Sequence, residues 1–104
     1  MDRIQKLQQF LAEKPDDCFL KHALALEYVK LGQPEKAREL FEANLRFNPA
    51  YLATYYHLGQ LLERSNLPGQ ALEVYASGME QARRSGDRHT YNELLQVFTE
   101  LQDI

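Results

Sequence analysis

Apolar side chains recur along this chain at intervals of three and four, the spacing that lines one face of an α-helix. Ile4, Leu7 and Leu11 form the first such stripe, with Phe10 at its flank. Asp2 stands before it as an N-cap, and Gln5 three residues on supplies the return half of a capping box. Pro15 ends this helix, predicted over about 2–13, because the residue before a proline is pushed out of the helical region. A second stripe, Leu24, Ala25, Tyr28 and Leu31, predicts a helix over about 17–30. Asp16 or Asp17 caps it, and Gly32 stops it with a left-handed backbone. Pro34 opens a third helix through Phe47, with Ala37, Leu40, Phe41 and Leu45 at helical spacing and Asn48-Pro49 as the break. The fourth, over 51–64, turns Tyr55, Leu58, Gly59 and Leu62 inward. A glycine in mid-helix costs roughly 1 kcal/mol against alanine, so Gly59 implies a close helix crossing. Asn66 then takes the turn position that Gly32 took, as the next residue to tolerate a left-handed backbone. Pro68 opens a fifth helix, to about residue 84, through Ala71, Leu72, Tyr75 and Met79. Ser85-Gly86 ends it, and Asp87 caps a sixth whose stripe is Tyr91, Leu94, Leu95, Phe98 and Leu101.

The stripes repeat. Leu24 and Leu58, Ala25 and Gly59, Ala37 and Ala71, and Phe41 and Tyr75 are each 34 residues apart, as are Pro34 and Pro68. Self-similarity at a period in this range marks a stacked array, because one helix pair cannot bury its apolar faces alone. The register runs backward as well: Pro15 precedes Pro49 by 34, and Leu7 precedes Phe41 by 34. It runs forward with a two-residue insertion near Arg84-Ser85-Gly86, after which Tyr91, Leu94 and Phe98 follow Tyr55, Leu58 and Leu62 by 36. The first helix therefore reads as the second half of a repeat, and the sixth as a first half.

These residues resemble the tetratricopeptide repeat (TPR), whose signature is an aromatic, Leu-Gly and Tyr, then Ala-x-x-x-Phe, then Pro at a period of 34. The resemblance covers the whole chain. It implies an all-α fold, a right-handed superhelix of antiparallel helix pairs with about six helices. Within a single domain over 1–104, residues 2–14 form an N-terminal half-repeat or capping helix, 17–49 the first full repeat, 51–84 the second, and 87–102 a C-terminal capping helix. Both end helices are polar away from their stripes, which is how terminal caps should look, with Phe10 and Val97 the apolar residues expected to stay exposed. Three positions depart from the family pattern. Lys21 replaces the first repeat's large aromatic, Asn44 stands where a small residue is preferred and where Gly78 conforms, and Arg83 replaces the second repeat's closing proline.

Composition narrows the function. The chain has 104 residues, 44% hydrophobic and 26% charged, with a net charge of −3 that offers no general attraction to nucleic acid or anionic lipid. No apolar run approaches the length that spans a bilayer, and the first residues lack the apolar stretch of a signal peptide, so a cytoplasmic location is expected. Cys18 is the only cysteine, so it can make neither an internal disulfide nor a cysteine cluster for zinc, and it reads as an incidental thiol. No Ser/His/Asp grouping, phosphate loop or paired buried carboxylates appear, and neither enzyme activity nor a cofactor is expected.

The resemblance also implies where a partner would sit. In the family the first helix of each repeat lines a concave groove. Here that lining is Phe19, His22, Leu26 and Val29, then Ala53, Tyr56, Gln60 and Glu63, then His89, Asn92, Gln96 and Thr99. It is apolar and aromatic at one end and polar at the other, a surface for a helix or extended segment of a protein or peptide partner. A competing reading has Phe19, Leu26 and Val29 simply packing on the first helix. One subset of the family grips a partner's C-terminal carboxylate with Lys, Asn and Arg. The matching places here hold His22 and Leu26, His57, then His89 and Glu93, so that clamp is absent and chaperone C-terminal acidic tails are not expected to bind. His22, His57 and His89 fall one per groove helix, but His22 and His57 are 35 apart rather than 34, and incidental surface histidines are the preferred reading over a metal site. The alternative to a peptide-binding adaptor is a structural module that self-associates through its end helices, leaving monomer or weak homodimer open.

Overall fold

A computed structural model describes residues 2–103; the two end residues of the domain expected over 1–104 lie outside the described residues. Six α-helices follow in order: α1 (Arg3–Glu13), α2 (Cys18–Lys30), α3 (Pro34–Phe47), α4 (Ala53–Arg64), α5 (Pro68–Ser85) and α6 (Arg88–Gln102). No strand occurs among the described residues.

The predicted caps form. The Asp2 carboxylate accepts from the Gln5 N–H at 2.8 Å while the Asp2 N–H donates back to the Gln5 side chain, closing the capping box. Asp17, not Asp16, caps α2, accepting from the Leu20 N–H at 2.9 Å. Asp87 caps α6 through the Thr90 N–H at 3.0 Å. Gly32 and Asn66 end α2 and α4 with the same left-handed backbone, at φ of +71° and +62°. Helices α1 and α2 each begin one residue later than expected, after their caps, and two further boundaries differ. Helix α4 begins at Ala53 rather than Tyr51, because Tyr51 and Leu52 form a turn whose carbonyls already accept from Thr54 and Tyr55 at the shorter three-residue spacing. Helix α5 runs one residue past 84, to Ser85, and stops at Gly86 with φ of +74°.

The chain divides into two compact units, Met1–Asn48 and Pro49–Ile104, and the break falls at the end of the first full repeat. In the first unit α2 packs against both α1 and α3. A helix covered on two sides buries more than one stripe, and α2 buries His22, Ala23, Leu24, Ala25 and Tyr28, whereas α1 fully buries Leu7 alone. The Tyr28 hydroxyl accepts from the Gln8 amide at 3.1 Å, and Arg3 pairs with Glu27 at 3.3 Å, tying α1 to α2. Lys21 explains itself here: its ammonium lies 4.7 Å from the centroid of the half-exposed Phe47 ring, a cation–π contact between α2 and α3. Asn44 is fully buried and donates its amide to the Cys18 carbonyl at 3.3 Å, a bond that a small apolar residue could not make.

In the second unit α5 packs against both α4 and α6. Glycine makes both approaches possible. A Cβ built on Gly59 would lie 2.1 Å from Cε1 of Tyr75, and one on Gly78 would lie 2.6 Å from Cβ of Tyr55 and 2.9 Å from Cδ1 of Leu94. Tyr75 and Leu94 are fully buried, as are Ala71 and Ala82, and Tyr55, Leu58, Leu61 and Leu62 complete this core. The crossing implied by Gly59 is thus the close approach of the Tyr75 ring to the α4 backbone.

Two apolar residues assigned to buried stripes are instead exposed. Leu31 is the C-cap of α2, where the chain leaves the helix axis, and Leu95 stands on α6 in the register of Ala25 and Gly59, with no paired helix following it among the described residues. Phe10 is 52% exposed, as expected, whereas Val97 is half-buried.

The α6 cap carries a pH signature. The Thr90 N–H and hydroxyl both donate to the Asp87 carboxylate, the hydroxyl at 2.9 Å, and they hold its pKa below the ordinary value of 3.8. A depressed carboxylate pKa contributes stability above its unfolded value, and that contribution is lost as pH falls through the folded value. Asp87→Asn keeps a capping oxygen but removes the titration. The expected result, in thermal melts from pH 6 down to about pH 2, is a shallower acid loss of stability for the variant than for the parent.

Candidate functional site

The helix faces assigned to partner binding belong to α2 in the first unit and to α4 and α6 in the second. On α2, Phe19 sits in the first turn after the Asp17 cap and is 64% exposed, the most exposed large hydrophobic residue among those described. Leu26 and Val29, about two and three turns on, are half-buried. Phe19 is therefore not packed away on α1. His22, which was expected to line this surface, is buried, and against α3 rather than α1. Its exposure is 8%, and its ring lies 5.5 Å from the fully buried Phe41 ring, tilted at 53°. The reason is the double cover on α2: a position one turn from Phe19 faces α3 rather than solvent.

On α4, Ala53 is exposed and Tyr56, Gln60 and Glu63 are half-buried, one helical turn apart in succession. They are locked to their neighbours. The Tyr56 hydroxyl accepts from the Gln60 amide at 3.2 Å, and the Tyr56 ring meets His57 edge-on with centroids 5.6 Å apart. The Glu63 carboxylate accepts from the Tyr75 hydroxyl at 2.5 Å. Burial first, and then the hydrogen bond to Glu63, push the Tyr75 phenol far above its ordinary range, so the hydroxyl stays a donor at all ordinary pH. Burial, and next the Arg64 cation, hold the His57 imidazole below its ordinary range, which favours its neutral form beside Tyr56. This face offers an aromatic ring, an amide and a carboxylate, each fixed by a partner.

On α6, His89, Asn92, Gln96 and Thr99 are all exposed. His89 lies 3.6 Å from Glu93, and Gln96 donates to Glu100 at 3.2 Å. The surface is polar, and both of these contacts run along its own helix.

The three histidines part company: one is packed in the first unit's interior, one is half-buried beside Tyr56 and one is exposed on α6. No cluster of three or more metal-ligating side chains forms among the described residues. No helix there is long and apolar enough to cross a membrane. Cys18 is half-buried at the start of α2.

Comparison with known proteins places this geometry. No family model matches the chain. A solution structure of a tetratricopeptide repeat domain protein from Salinibacter ruber is 37% identical, covering 86% of this chain and 91% of its own, with a TM-score of 0.83. A TPR repeat-containing protein of Pseudomonas aeruginosa is 25% identical over 91 residues, 88% of this chain and 87% of the relative. The TPR2B domain of yeast Sti1, solved as a pHsp70 complex, is 13% identical and shares the fold at a TM-score of 0.88 over 96% of this chain and 80% of its own.

Proposed function

Since this chain belongs to the tetratricopeptide repeat family, we propose that it is a non-enzymatic, cytoplasmic adaptor that binds a segment of a partner protein on the faces of its first-of-pair helices, α2 in the first unit and α4 and α6 in the second. The observation that carries the reading is the exposure of Phe19, 64%, the most exposed large hydrophobic residue among those described, on the α2 face that also carries the half-buried Leu26 and Val29. Tyr56, half-buried and tethered by Gln60, is an aromatic on the corresponding face of α4, three residues after Ala53, which holds the register position of Phe19. Aromatic anchors of this kind carry much of the energy in protein interfaces. That the Sti1 domain was solved as a pHsp70 complex supports a polypeptide ligand for this fold. The ligand here is not a chaperone tail held by its terminal carboxylate, because His22, Leu26, His57, His89 and Glu93 stand at the clamp positions and none is Lys, Arg or Asn.

Phe19→Ala and Tyr56→Ala test this. Each is expected to lower capture of the partner from native cell extract by tenfold or more, roughly 1.4 kcal/mol or above, with an unchanged far-ultraviolet circular dichroism spectrum. Capture indifferent to both substitutions removes the groove as the site. A second reading, self-association through the end helices, is favoured by the exposure of Phe10 on α1 and Leu95 on α6.

A further inference from the structure

The one break in the 34-residue period builds a cavity. Arg83 stands where the first repeat has Pro49, so α5 continues to 18 residues against 14 for α3. The chain then turns through Gly86 into Asp87 and α6. Ala82, Arg83, Gly86, Asp87, Arg88 and Tyr91 line a cavity of about 250 Å³ at that turn. It is smaller than the pockets that hold drug-sized ligands and suits a single large side chain. Its floor is apolar, with Ala82 fully buried and Tyr91 half-buried.

Its rim is basic. Residues 49–104 contain four Lys and Arg against seven Asp and Glu, and three of those four, Arg83, Arg84 and Arg88, are at this turn. The local carboxylates are committed. Glu80 is shared between Arg83 at 2.6 Å and Arg84 at 3.2 Å. Asp87 is turned back onto the Thr90 N–H and hydroxyl as the helix cap. Arg88 is exposed and forms no ion pair among the described residues. Two guanidinium groups on one carboxylate and a third with none leave a positive rim in an otherwise acidic half of the chain.

We propose that this turn is a second docking site, which takes an internal segment of a partner protein carrying one large apolar side chain flanked by Asp or Glu. The apolar side chain enters between Ala82 and Tyr91. The flanking carboxylates take the free guanidinium hydrogens of Arg88 and Arg83, which pair with carboxylates in a planar, two-bonded geometry. The surrounding acidic surface repels such a segment elsewhere, so the rim sets its register more than its affinity. On α6, Arg88 and Tyr91 are one residue-step round from His89 and Asn92, which separates this site from the face proposed above.

The test is titration of the ¹⁵N-labelled full chain with the peptide Asp-Glu-Phe-Glu-Asp, blocked at both ends so that no terminal carboxylate contributes. The expected result is amide shifts centred on Gly86, Arg88 and Tyr91. Affinity should fall about tenfold with Arg88→Glu, should fall likewise when serine replaces the peptide's phenylalanine, and should be unchanged by Phe19→Ala. Absence of binding, affinity indifferent to Arg88→Glu, or shifts centred on α2 overturns the proposal. Equal or tighter binding of a short oligothymidylate also overturns it, by assigning the arginines to phosphate rather than protein.

Discussion

Tyr75→Ala is expected to destabilise the folded chain by about 3–5 kcal/mol, against the 5–15 kcal/mol typical of a whole domain. Two losses combine. The ring is fully buried, lies against the backbone of Gly59 and fills the space between α4 and α5. Its hydroxyl is a donor to the half-buried Glu63 carboxylate, which loses that partner in the variant. Tyr75→Phe separates the two, because it keeps the ring and costs only the hydrogen bond, about 1–3 kcal/mol for a bond to a charged group. Chemical denaturation of the three proteins measures both terms. An alanine variant no less stable than the phenylalanine variant would show that the ring does not fill the α4–α5 crossing.

Gly59→Ala is expected to destabilise by about 2 kcal/mol, although helix propensity alone favours alanine by about 1 kcal/mol. The added methyl meets Cε1, Cδ1 and Cζ of Tyr75 at 2.1 to 2.6 Å. The ring has no free end to swing away, because it is sealed from solvent. The sign should reverse once the ring is gone. In a Tyr75→Ala background the methyl occupies part of the cavity, so Gly59→Ala becomes neutral or stabilising there. The double-mutant cycle reads this as a coupling between the two sites. Simple additivity would mean that Gly59 is present for some reason other than the close approach.

Most of the fold was legible because the repeat writes it twice. Pro34 and Pro68, Gly32 and Asn66, Ala37 and Ala71 recur in register, and the caps at Asp2, Asp17 and Asp87 follow from the hydrogen-bond needs of a helix start. What was not legible depends on which faces of a helix are covered, and a single stripe cannot tell. Helix α2 is packed on two sides, so His22, one turn from the exposed Phe19, is buried on Phe41, and Ala23 joins the core beside the stripe. Leu31 and Leu95 extend their stripes by spacing alone, and both are exposed. Of the candidate surface, Phe19 and Tyr56 were readable from register, and the tethers Tyr56–Gln60 and Tyr75–Glu63 were half-readable, the first being one turn apart on one helix and the second crossing helices. The cavity at the α5–α6 turn left a trace, the two-residue insertion and the missing proline at Arg83, but spacing does not reveal that a surface cavity lies beside an insertion.

The measurement that tests the adaptor reading most directly is titration of the captured partner segment into the ¹⁵N-labelled chain. The account predicts amide shifts along the faces that carry Phe19 on α2, Tyr56 and Gln60 on α4, and Asn92 and Gln96 on α6. Shifts confined to α1, α3 and α5 would contradict it.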